Sequence, residues 1–420
     1  MTNLYTETAG AGPPTPPLHG DLQADVAVVG AGLTGLSAAL HLAERGVGVV
    51  VLEAQTPGFG ASGRNGGQIN AGLKADPDDV ERHHGADLGG RLVAFAGGAP
   101  QFVFDLIERL GLRCEARRNG TLRAAVRARH LAQVRATAEQ WRRRGAPVEM
   151  LDAEEVAALT GTRRYAGAML DRRGGDLHPL QFTHGLAAAA IARGAAVHGG
   201  TRVQSLERSG AGWRLRCAAG SVTANQVLLA TNGYSDPLWP GLRQSIVPVF
   251  SSIAATEPLP PAAAQAIMPG RQVLFESGFI TVYYRVDASG RLLIGGRGPM
   301  IDVRDPAQIA YIVKYAVELW PPLRQVRFTH AWSGRLAMTA DHYPHVHQPA
   351  PGVTICLGYN GRGVALATAA GAALAGRLVD PAAPFDLPLS DIKTIPFHGY
   401  WPLAVPAAVN IGRLRDYIGV

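Results

Sequence analysis

The stretch that decides the fold is DVAVVGAGLTGLSAALHLAERGVGVVVLE, residues 25–53. It opens with a short apolar run, 25–29, that predicts a buried strand, and residues 36–43 carry an apolar stripe with helical spacing. A second β-branched run, 47–52, predicts another strand. Strand, helix and strand within about 30 residues form a βαβ unit, so we expect a parallel sheet with covered faces.

The turn between the first strand and the helix has the sequence GAGLTG, residues 30–35. The first glycine permits a tight turn, the second lets a pyrophosphate approach the backbone, and the third lets helix and sheet pack closely. Glu53 ends the second strand, 18 residues after Gly35, where a carboxylate can bind ribose hydroxyls. This combination predicts a dinucleotide site rather than a coincidental glycine turn.

The composition bounds the class of protein. The 420 residues are 47% hydrophobic and 17% charged, which indicates a globular protein of two or three domains and excludes fibrous and disulfide-scaffold classes. Cys114, Cys217 and Cys356 form no CxxC pair, so we expect a reducing, cytoplasmic location. The longest apolar stretch, 364–376, is shorter than the ~18 residues that span a bilayer. No transmembrane segment is predicted, while peripheral contact with a membrane stays open.

The charge balance is basic. The chain has 40 Lys and Arg against 33 Asp and Glu, a formal charge of +7. The basic residues are almost all arginines, in short, dispersed clusters next to acidic or apolar residues. A nucleic-acid surface normally concentrates its charge together with aromatic side chains. We therefore expect solvated faces and no nucleic-acid partner.

Beyond residue 53, a second glycine-rich segment and further elements are evident. The segment GASGRNGGQ, residues 60–68 and here called the glycine-rich loop, lets backbone approach a flat ring and a pyrophosphate; the alternative is a flexible surface loop. The patterns predict helices at 101–110, 128–144, 180–192 and 363–379, and strands at 197–206, 213–217, 227–230, 273–275, 280–286, 292–294 and 353–357.

Five segments together carry a family resemblance. They are residues 25–53, the glycine-rich loop, GDLHP at 175–179, LATNGY at 229–234 and GYNGRGV at 358–364. In this order, and over residues 20–420, the chain resembles the glycine/D-amino-acid oxidase superfamily of FAD flavoproteins, especially its gamma-glutamylputrescine oxidase-like and L-pipecolate oxidase-like branch. The resemblance implies an α/β fold: a Rossmann-like FAD-binding domain with a parallel sheet, and an α+β substrate domain with a mainly antiparallel sheet.

The expected domain organisation is discontinuous. Residues 23–90, 165–236 and 325–395 would form the FAD-binding domain, and residues 91–164 and 237–324 the substrate domain. Residues 1–22 would be a flexible leader and residues 396–420 a C-terminal tail.

The resemblance also implies which residues hold the cofactor. We expect FAD bound without a covalent link, because the cysteine that sarcosine oxidases attach to flavin is not recognisable and Cys356 is better explained as a core thiol. The implied cofactor residues are Gly30, Ala31, Gly32, Thr34, Gly35, Glu53, Ala54, Ala61, Ser62, Arg64, Asn65, Gly66, Gly67, Gln68, Val203, Ala230, Thr231, Gly233, Gly358, Asn360, Gly361, Arg362, Gly363 and Val364.

One departure from the family concerns the substrate. Many amino-acid oxidases of this superfamily carry Gly-Leu-Arg-Pro, whose arginine binds the substrate carboxylate. The corresponding stretch here is WSGRLAMTAD, residues 332–341, which has Leu336 at the arginine position. If the strand alternates, Arg335 points elsewhere. This favours an amine, an omega-amino compound or a cyclic imino acid over an α-amino acid.

The candidate catalytic residues are Tyr283, Arg285, Trp332 and His178, with cross-strand packing or structural roles as the alternatives. Tyr283 and Arg285 would share one face of a strand. Asp341, His342, His345 and His347 resemble a metal site, but the family has a plain loop here, so no metal is predicted.

The predicted function is FAD-dependent oxidation of a C–N bond by hydride transfer, giving an imine that hydrolyses. The substrate would be a gamma-glutamylputrescine-like amine or a cyclic imino acid, and the acceptor O2, with H2O2 formed, or another electron acceptor. Alternatives are a D-amino-acid or sarcosine-type oxidase or dehydrogenase, a nicotinamide dehydrogenase, and, from another class, a tRNA-associated flavoprotein.

Overall fold

The computed structural model describes residues 3–278 and 281–418, which form two large sheets with their covering helices. The strands of these residues are β1 (Gly20–Val29), β2 (Val49–Leu52), β3 (Gln68–Ile69), β4 (Thr121–Ala125), β5 (Val148–Leu151), β6 (Gly167–Asp171), β7 (Gly175–Asp176), β8 (Ala196–His198), β9 (Ser205–Ser209), β10 (Gly212–Cys217), β11 (Gly220–Leu229), β12 (Val247–Thr256), β13 (Val273–Ser277), β14 (Tyr283–Val286), β15 (Leu292–Arg297), β16 (Phe328–Met338), β17 (His345–Ala350) and β18 (Val353–Leu357). The helices are α1 (Leu4–Thr8), α2 (Leu33–Ala43), α3 (Pro77–His84), α4 (Ala86–Leu110), α5 (Ala128–Arg143), α6 (Ala153–Thr160), α7 (Pro179–Ala192), α8 (Pro261–Ala266), α9 (Ala310–Leu319), α10 (Gly363–Val379) and α11 (Trp401–Ile418).

The first sheet has the order β17-β18-β11-β1-β2-β8, with β10 and β9 added beside β11. Its central pairs, β18-β11, β11-β1, β1-β2 and β2-β8, are parallel, as the βαβ pattern predicts. The strand predicted at 25–29 is the second half of β1. The strand begins earlier because residues 20–24 pair with residues 220–224 of β11, a contact that the local pattern does not reveal.

The second sheet has the order β16-β12-β15-β14-β13-β4-β6-β5 and is antiparallel except at β13-β4. Together the two sheets confirm the predicted fold class. The domain bounds differ from those expected, because β6 and β16 both pair in the second sheet although they lie after residues 165 and 325. Strand partners decide this membership, and they come from distant parts of the chain.

Helices α2 and α7 contact strands of the first sheet, α10 packs on α2, and α4 packs on α10. The helices α2 and α10 come close at Gly371, where a Cβ would lie only 2.4 Å from the carbonyl oxygen of Thr34. Buried side chains of α4 join the same hydrophobic core as those of α2. The segment 91–164, expected in the substrate domain, is therefore divided between the two cores.

The first residues pack onto the protein, unlike the flexible leader expected for residues 1–22. Leu4 and Tyr5 of α1 are 2% and 1% exposed, and the Tyr5 ring contacts the rings of His178 and Trp332 edge-on. Burial of these apolar side chains explains why the first helix is packed on the protein. Residues 1 and 2, and residues 419 and 420 of the expected tail, lie outside the described residues. Among the helices that the structure describes, none combines the length and apolarity needed to cross a bilayer.

Candidate active site

The turn between β1 and α2 has the geometry that its three glycines predict. Gly30 has φ +106°, and a Cβ on Gly35 would lie 2.0 Å from the carbonyl oxygen of Gly30. Gly32 is the N-cap residue of α2 and has no side chain to cap the helix. The Leu33 N–H instead donates to Ser62 Oγ at 3.0 Å. The first turn of α2 therefore faces the glycine-rich loop, with backbone donors suited to an anionic group.

Glu53 lies just after β2, beside this turn. Its Oε2 accepts from the Ala31 N–H at 2.8 Å, and its Oε1 accepts from the Gln55 N–H at 2.9 Å. Burial raises the pKa of Glu53, and the two backbone hydrogen bonds oppose that rise. The carboxylate is thus fixed in place and keeps lone pairs for a diol.

The glycine-rich loop is held by its own amides. Asn65 Nδ2 donates to the carbonyl oxygen of Ser62 at 2.8 Å, and Asn65 Oδ1 accepts from the Gly67 N–H at 2.8 Å. Gln68 Nε2 donates to the carbonyl oxygen of Leu274 on β13 at 3.0 Å. The loop therefore bridges the two sheets and has a defined structure, in contrast to the flexible-loop alternative.

Residues 358–364 connect β18 to α10 and approach the same place. The hydroxyls of Tyr359 and Thr34 are hydrogen-bonded at 2.6 Å, which ties this segment to α2. Asn360 has φ +51° and accepts from the Thr339 N–H at 3.0 Å. Cys356 lies in the core, and burial raises the pKa of its thiol to about 12.

These segments and the second sheet enclose a cavity of about 710 Å³, in the upper half of the range usual for ligand sites. The predicted cofactor residues on its wall are Gly32, Thr34, Ala61, Ser62, Arg64, Asn65, Gly66, Gln68, Ala230, Asn360, Gly361, Arg362, Gly363 and Val364. The other predicted cofactor residues do not line the cavity: Gly30, Ala31, Gly35, Glu53, Ala54, Gly67, Val203, Thr231, Gly233 and Gly358. The structure thus brings together four segments, 32–34, 61–68, 230 and 360–364, that are up to about 330 residues apart in the sequence.

Tyr283 is the predicted catalytic residue that lies on the cavity wall. Its hydroxyl is 2.8 Å from Ser251 Oγ, and its ring packs over Gly66. Burial raises the pKa of Tyr283, so its hydroxyl stays protonated at neutral pH. The next residue, Tyr284, points into the hydrophobic core on the second sheet. Its hydroxyl is hydrogen-bonded to the Tyr165 hydroxyl at 2.5 Å.

Arg285 and Trp332 lie behind the glycine-rich loop. Arg285 is 3% exposed; its Nε donates to the carbonyl oxygen of Gly66 at 2.7 Å and its Nη1 to Asp176 Oδ2 at 2.8 Å. Trp332 Nε1 donates to the carbonyl oxygen of Arg64 at 2.9 Å. Both side chains bind backbone carbonyls of the loop. Contact with a substrate, as predicted for them, finds no support in this geometry.

His178 is also distant from the cavity wall. It precedes α7, where its Nδ1 accepts from the Gln181 N–H at 3.2 Å and its Nε2 is 2.9 Å from Thr8 Oγ1. Burial, and secondarily the charge of Arg285, lower the pKa of His178 to about 4. The ring therefore stays neutral at physiological pH and fastens the first helix to the body of the protein.

Side chains of β16 point alternately to opposite faces of the sheet, as the sequence predicts. Residue 336 holds the position of the family's arginine. Leu336 lies on the cavity wall. Arg335 is exposed, with its guanidinium carbon 5.4 Å from the ring centres of Tyr234 and Phe250. The cavity therefore has an apolar side chain where the motif would bring a cation.

Several wall residues were not among the predicted site residues. They are Lys74, Arg123, Arg129, His130, Ser251, Phe275, Glu276, Met338 and Tyr359. Lys74 carried a signal, because it is one of three lysines in the chain and follows the glycine-rich loop by six residues. Phe275 and Tyr283 are paired across β13 and β14, which only the sheet register reveals.

The histidine-rich segment after β16 has ordinary partners. His345 Nε2 is 3.0 Å from the carboxylate oxygens of Asp341, and His347 Nδ1 is 2.7 Å from the carbonyl oxygen of Ser390. Within residues 3–278 and 281–418, no group of three or more His, Cys, Asp or Glu is placed to hold a metal ion.

Comparison with known proteins gives the family. The family model described as "DAO: FAD dependent oxidoreductase" matches residues 25–377. Gamma-glutamylputrescine oxidoreductase of Escherichia coli (strain K12) is 34% identical over 427 residues, covering 100% of this chain and 99% of that protein. The chain belongs to the DAO family of FAD-dependent oxidoreductases. The family resemblance inferred from the five segments is confirmed.

Two other similar proteins extend this result to the DAO fold. Probable oxidoreductase OrdL of Rhizobium meliloti (strain 1021) is 33% identical, covering 94% of this chain and 92% of that protein. The crystal structure of glycine oxidase from Geobacillus kaustophilus matches with a TM-score of 0.75 at 23% identity, covering 86% of this chain and 96% of that chain. The fold is therefore glycine oxidase-like.

The residues of this DAO-family enzyme fit FAD. A Cβ on Gly32 would lie 2.7 Å from Ser62 Oγ, so the turn leaves backbone rather than side chains facing the space between α2 and the glycine-rich loop. The carboxylate of Glu53 lies beside the same turn, and the large cavity continues from it towards the second sheet. This arrangement suits a dinucleotide with a flat ring at its far end.

Proposed function

We propose that this DAO-family enzyme oxidises the C–N bond of an amine of the gamma-glutamylputrescine type, giving an imine that hydrolyses to a carbonyl compound. The observation that carries the proposal is Leu336 on the cavity wall, where the family motif has a carboxylate-binding arginine. A terminal amine needs no such arginine beside its reacting carbon. Full-length identity of 34% to the E. coli gamma-glutamylputrescine oxidoreductase supports the same substrate class.

For the cofactor, we propose that the first turn of α2 and Ser62 hold the FAD pyrophosphate and that Glu53 holds the adjacent ribose. The glycine-rich loop and the backbone of residues 360–364 would hold the ring system without a covalent link. FAD supplies the hydride acceptor in this chemistry.

The wall residues would prepare the substrate for oxidation. The amine nitrogen must be uncharged when its neighbouring carbon is oxidised, and loss of water around the nitrogen in the cavity disfavours an ammonium. Tyr283 would orient the amine through its protonated hydroxyl. Phe275 and Leu336 present apolar surface that limits water around the reacting carbon. Arg285, Trp332 and His178 would act as positioning residues for the loop and the first helix.

The experiment measures the rate at which each candidate substrate reduces the bound flavin without oxygen. The loss of the flavin's visible absorption reports the reduction. Gamma-glutamylputrescine should reduce it faster than putrescine, pipecolate, sarcosine or D-alanine, and subsequent oxygen uptake would identify O2 as an acceptor. Faster reduction by an α-amino acid would overturn the proposal in favour of an amino-acid oxidase. Purified, folded protein without flavin would contradict the cofactor assignment.

A further inference from the structure

Three cationic side chains on the cavity wall lack an acidic partner. Among the residues that the structure describes, no carboxylate lies within 4.0 Å of the charged nitrogens of Lys74, Arg297 or Arg362. A neighbouring wall residue, Arg123, is paired with an acid, because its Nη1 is 2.8 Å from Asp76 Oδ1. Lys74, Arg297 and Arg362 instead line one cavity together, where a bound anion would meet several positive charges at once.

The three cations also lie near enough to influence one another; Lys74 is exposed, and Arg297 and Arg362 are half-buried. Partial desolvation lowers the pKa of Lys74, and the charges of Arg297 and Arg362 lower it further. Burial, followed by the charge of Arg123, lowers the pKa of Arg362 to about 10, although Asp76 and the more distant Asp171 oppose this. These cations repel one another and are partly removed from water, and an anion bound between them would offset that repulsion.

The position of Arg297 indicates that the bound anion belongs to the substrate, because Arg297 lies in the second sheet close to Tyr283. Arg297 ends β15, opposite Ser251 on β12, and Ser251 Oγ is bonded to the Tyr283 hydroxyl. Arg297 also borders a second cavity of about 310 Å³ that shares Glu276 with the first. A substrate longer than an α-amino acid could therefore extend past Tyr283 to this cation.

We propose that Lys74, Arg297 and Arg362 form a carboxylate-binding site, so that the substrate is an amine with a carboxylate at its far end. This inference rests on the proposed function. The three cations would bind this distant carboxylate from the second sheet, the segment after the glycine-rich loop and the segment before α10. A planar guanidinium at Arg297 suits bidentate binding of a carboxylate, and Lys74 and Arg362 add charge.

The test uses two substrates that differ in one group. N-glutarylputrescine ends in a carboxylate, and N-pentanoylputrescine has a methyl group in its place. For Arg297→Met and Lys74→Met, kcat/KM with the glutaryl substrate should fall about 10- to 150-fold, as for loss of a hydrogen bond to a charged group. With the pentanoyl substrate it should change less than about threefold. The control is Arg304→Met, because Arg304 is exposed and lies away from the cavity wall.

A second measurement separates this site from the proposed function and from the cofactor. Calorimetric titration of the flavin-loaded enzyme with glutarate should show binding that Arg297→Met abolishes, even if no amine reduces the flavin. Equal loss of activity with both substrates would overturn the inference. Loss of bound FAD in the Arg297 and Lys74 variants would do so too, because the cations would then hold a cofactor phosphate.

Discussion

Replacing Arg285 with methionine should destabilise the protein through the support of the glycine-rich loop. Methionine keeps an apolar stem but removes the hydrogen bonds to Asp176 Oδ2 (2.8 Å), the Gly66 carbonyl (2.7 Å) and the Tyr5 hydroxyl (3.3 Å). Loss of one partner from a buried ion pair costs about 3–5 kcal/mol. Asp176 keeps Arg117 Nη2 at 2.7 Å, so we expect the lower end, about 3 kcal/mol.

The assay is thermal unfolding of the flavin-free and flavin-loaded protein. An unfolding entropy of about 2.1 cal/mol/K per residue gives about 0.9 kcal/mol/K for this chain, so Tm should fall by about 3 °C. Affinity for FAD should fall as well, because the Gly66 carbonyl loses its donor. The control is Arg327→Met, since Arg327 is 81% exposed beside Glu257 and its pair contributes little. If both variants shift Tm equally, Arg285 does not have the supporting role inferred here.

Three further predictions concern the turn, the wall and pH. Gly35→Ala should yield protein without bound flavin, because its Cβ would lie 2.0 Å from the Gly30 carbonyl oxygen; a yellow, stable variant would contradict this. Tyr283→Phe should lower kcat/KM about tenfold through loss of one hydrogen bond while flavin content is unchanged; equal loss of flavin would mean a structural role only. The pKa of His178 is about 4 when folded and about 6.5 when unfolded, so its stabilisation is present above pH 6.5 and is lost as pH falls towards 4. Between pH 7 and 5 wild type should lose about 2 kcal/mol more stability than His178→Gln in urea unfolding, and equal losses would refute the burial argument.

The sequence predicts best what neighbouring residues determine. Residues 25–53 specify β1, α2 and β2 because apolar spacing and three glycines act within one turn or strand. The strand 353–357 and the helix 363–379 also agree with β18 and α10. Alternation along β16 correctly places Leu336 inwards and Arg335 outwards, since side chains on a strand point to opposite faces.

The sequence predicts poorly what distant partners determine. The helix in the proline-rich leader was not predicted. Its Tyr5 ring is buried between His178 and Trp332, which lie far along the chain. The candidate residues Arg285 and Trp332 have suitable chemistry, but their partners are loop carbonyls, and only the packed structure shows this. Lys74 belongs to the cavity wall because the loop before it crosses between the sheets.

The distribution of charge gives the substrate an orientation. Several arginines elsewhere meet acids from other elements, as Arg143 does with Asp78 and Arg144 with Glu81. A pair of this kind adds no net charge to its surroundings, whereas the unpaired cations of the cavity wall do. An amine that carries a carboxylate would be drawn to Arg297 by that carboxylate, while its ammonium form would be repelled at the other end. The charges therefore orient the substrate with its carboxylate at the cations and its amine end directed towards Leu336 on the same wall.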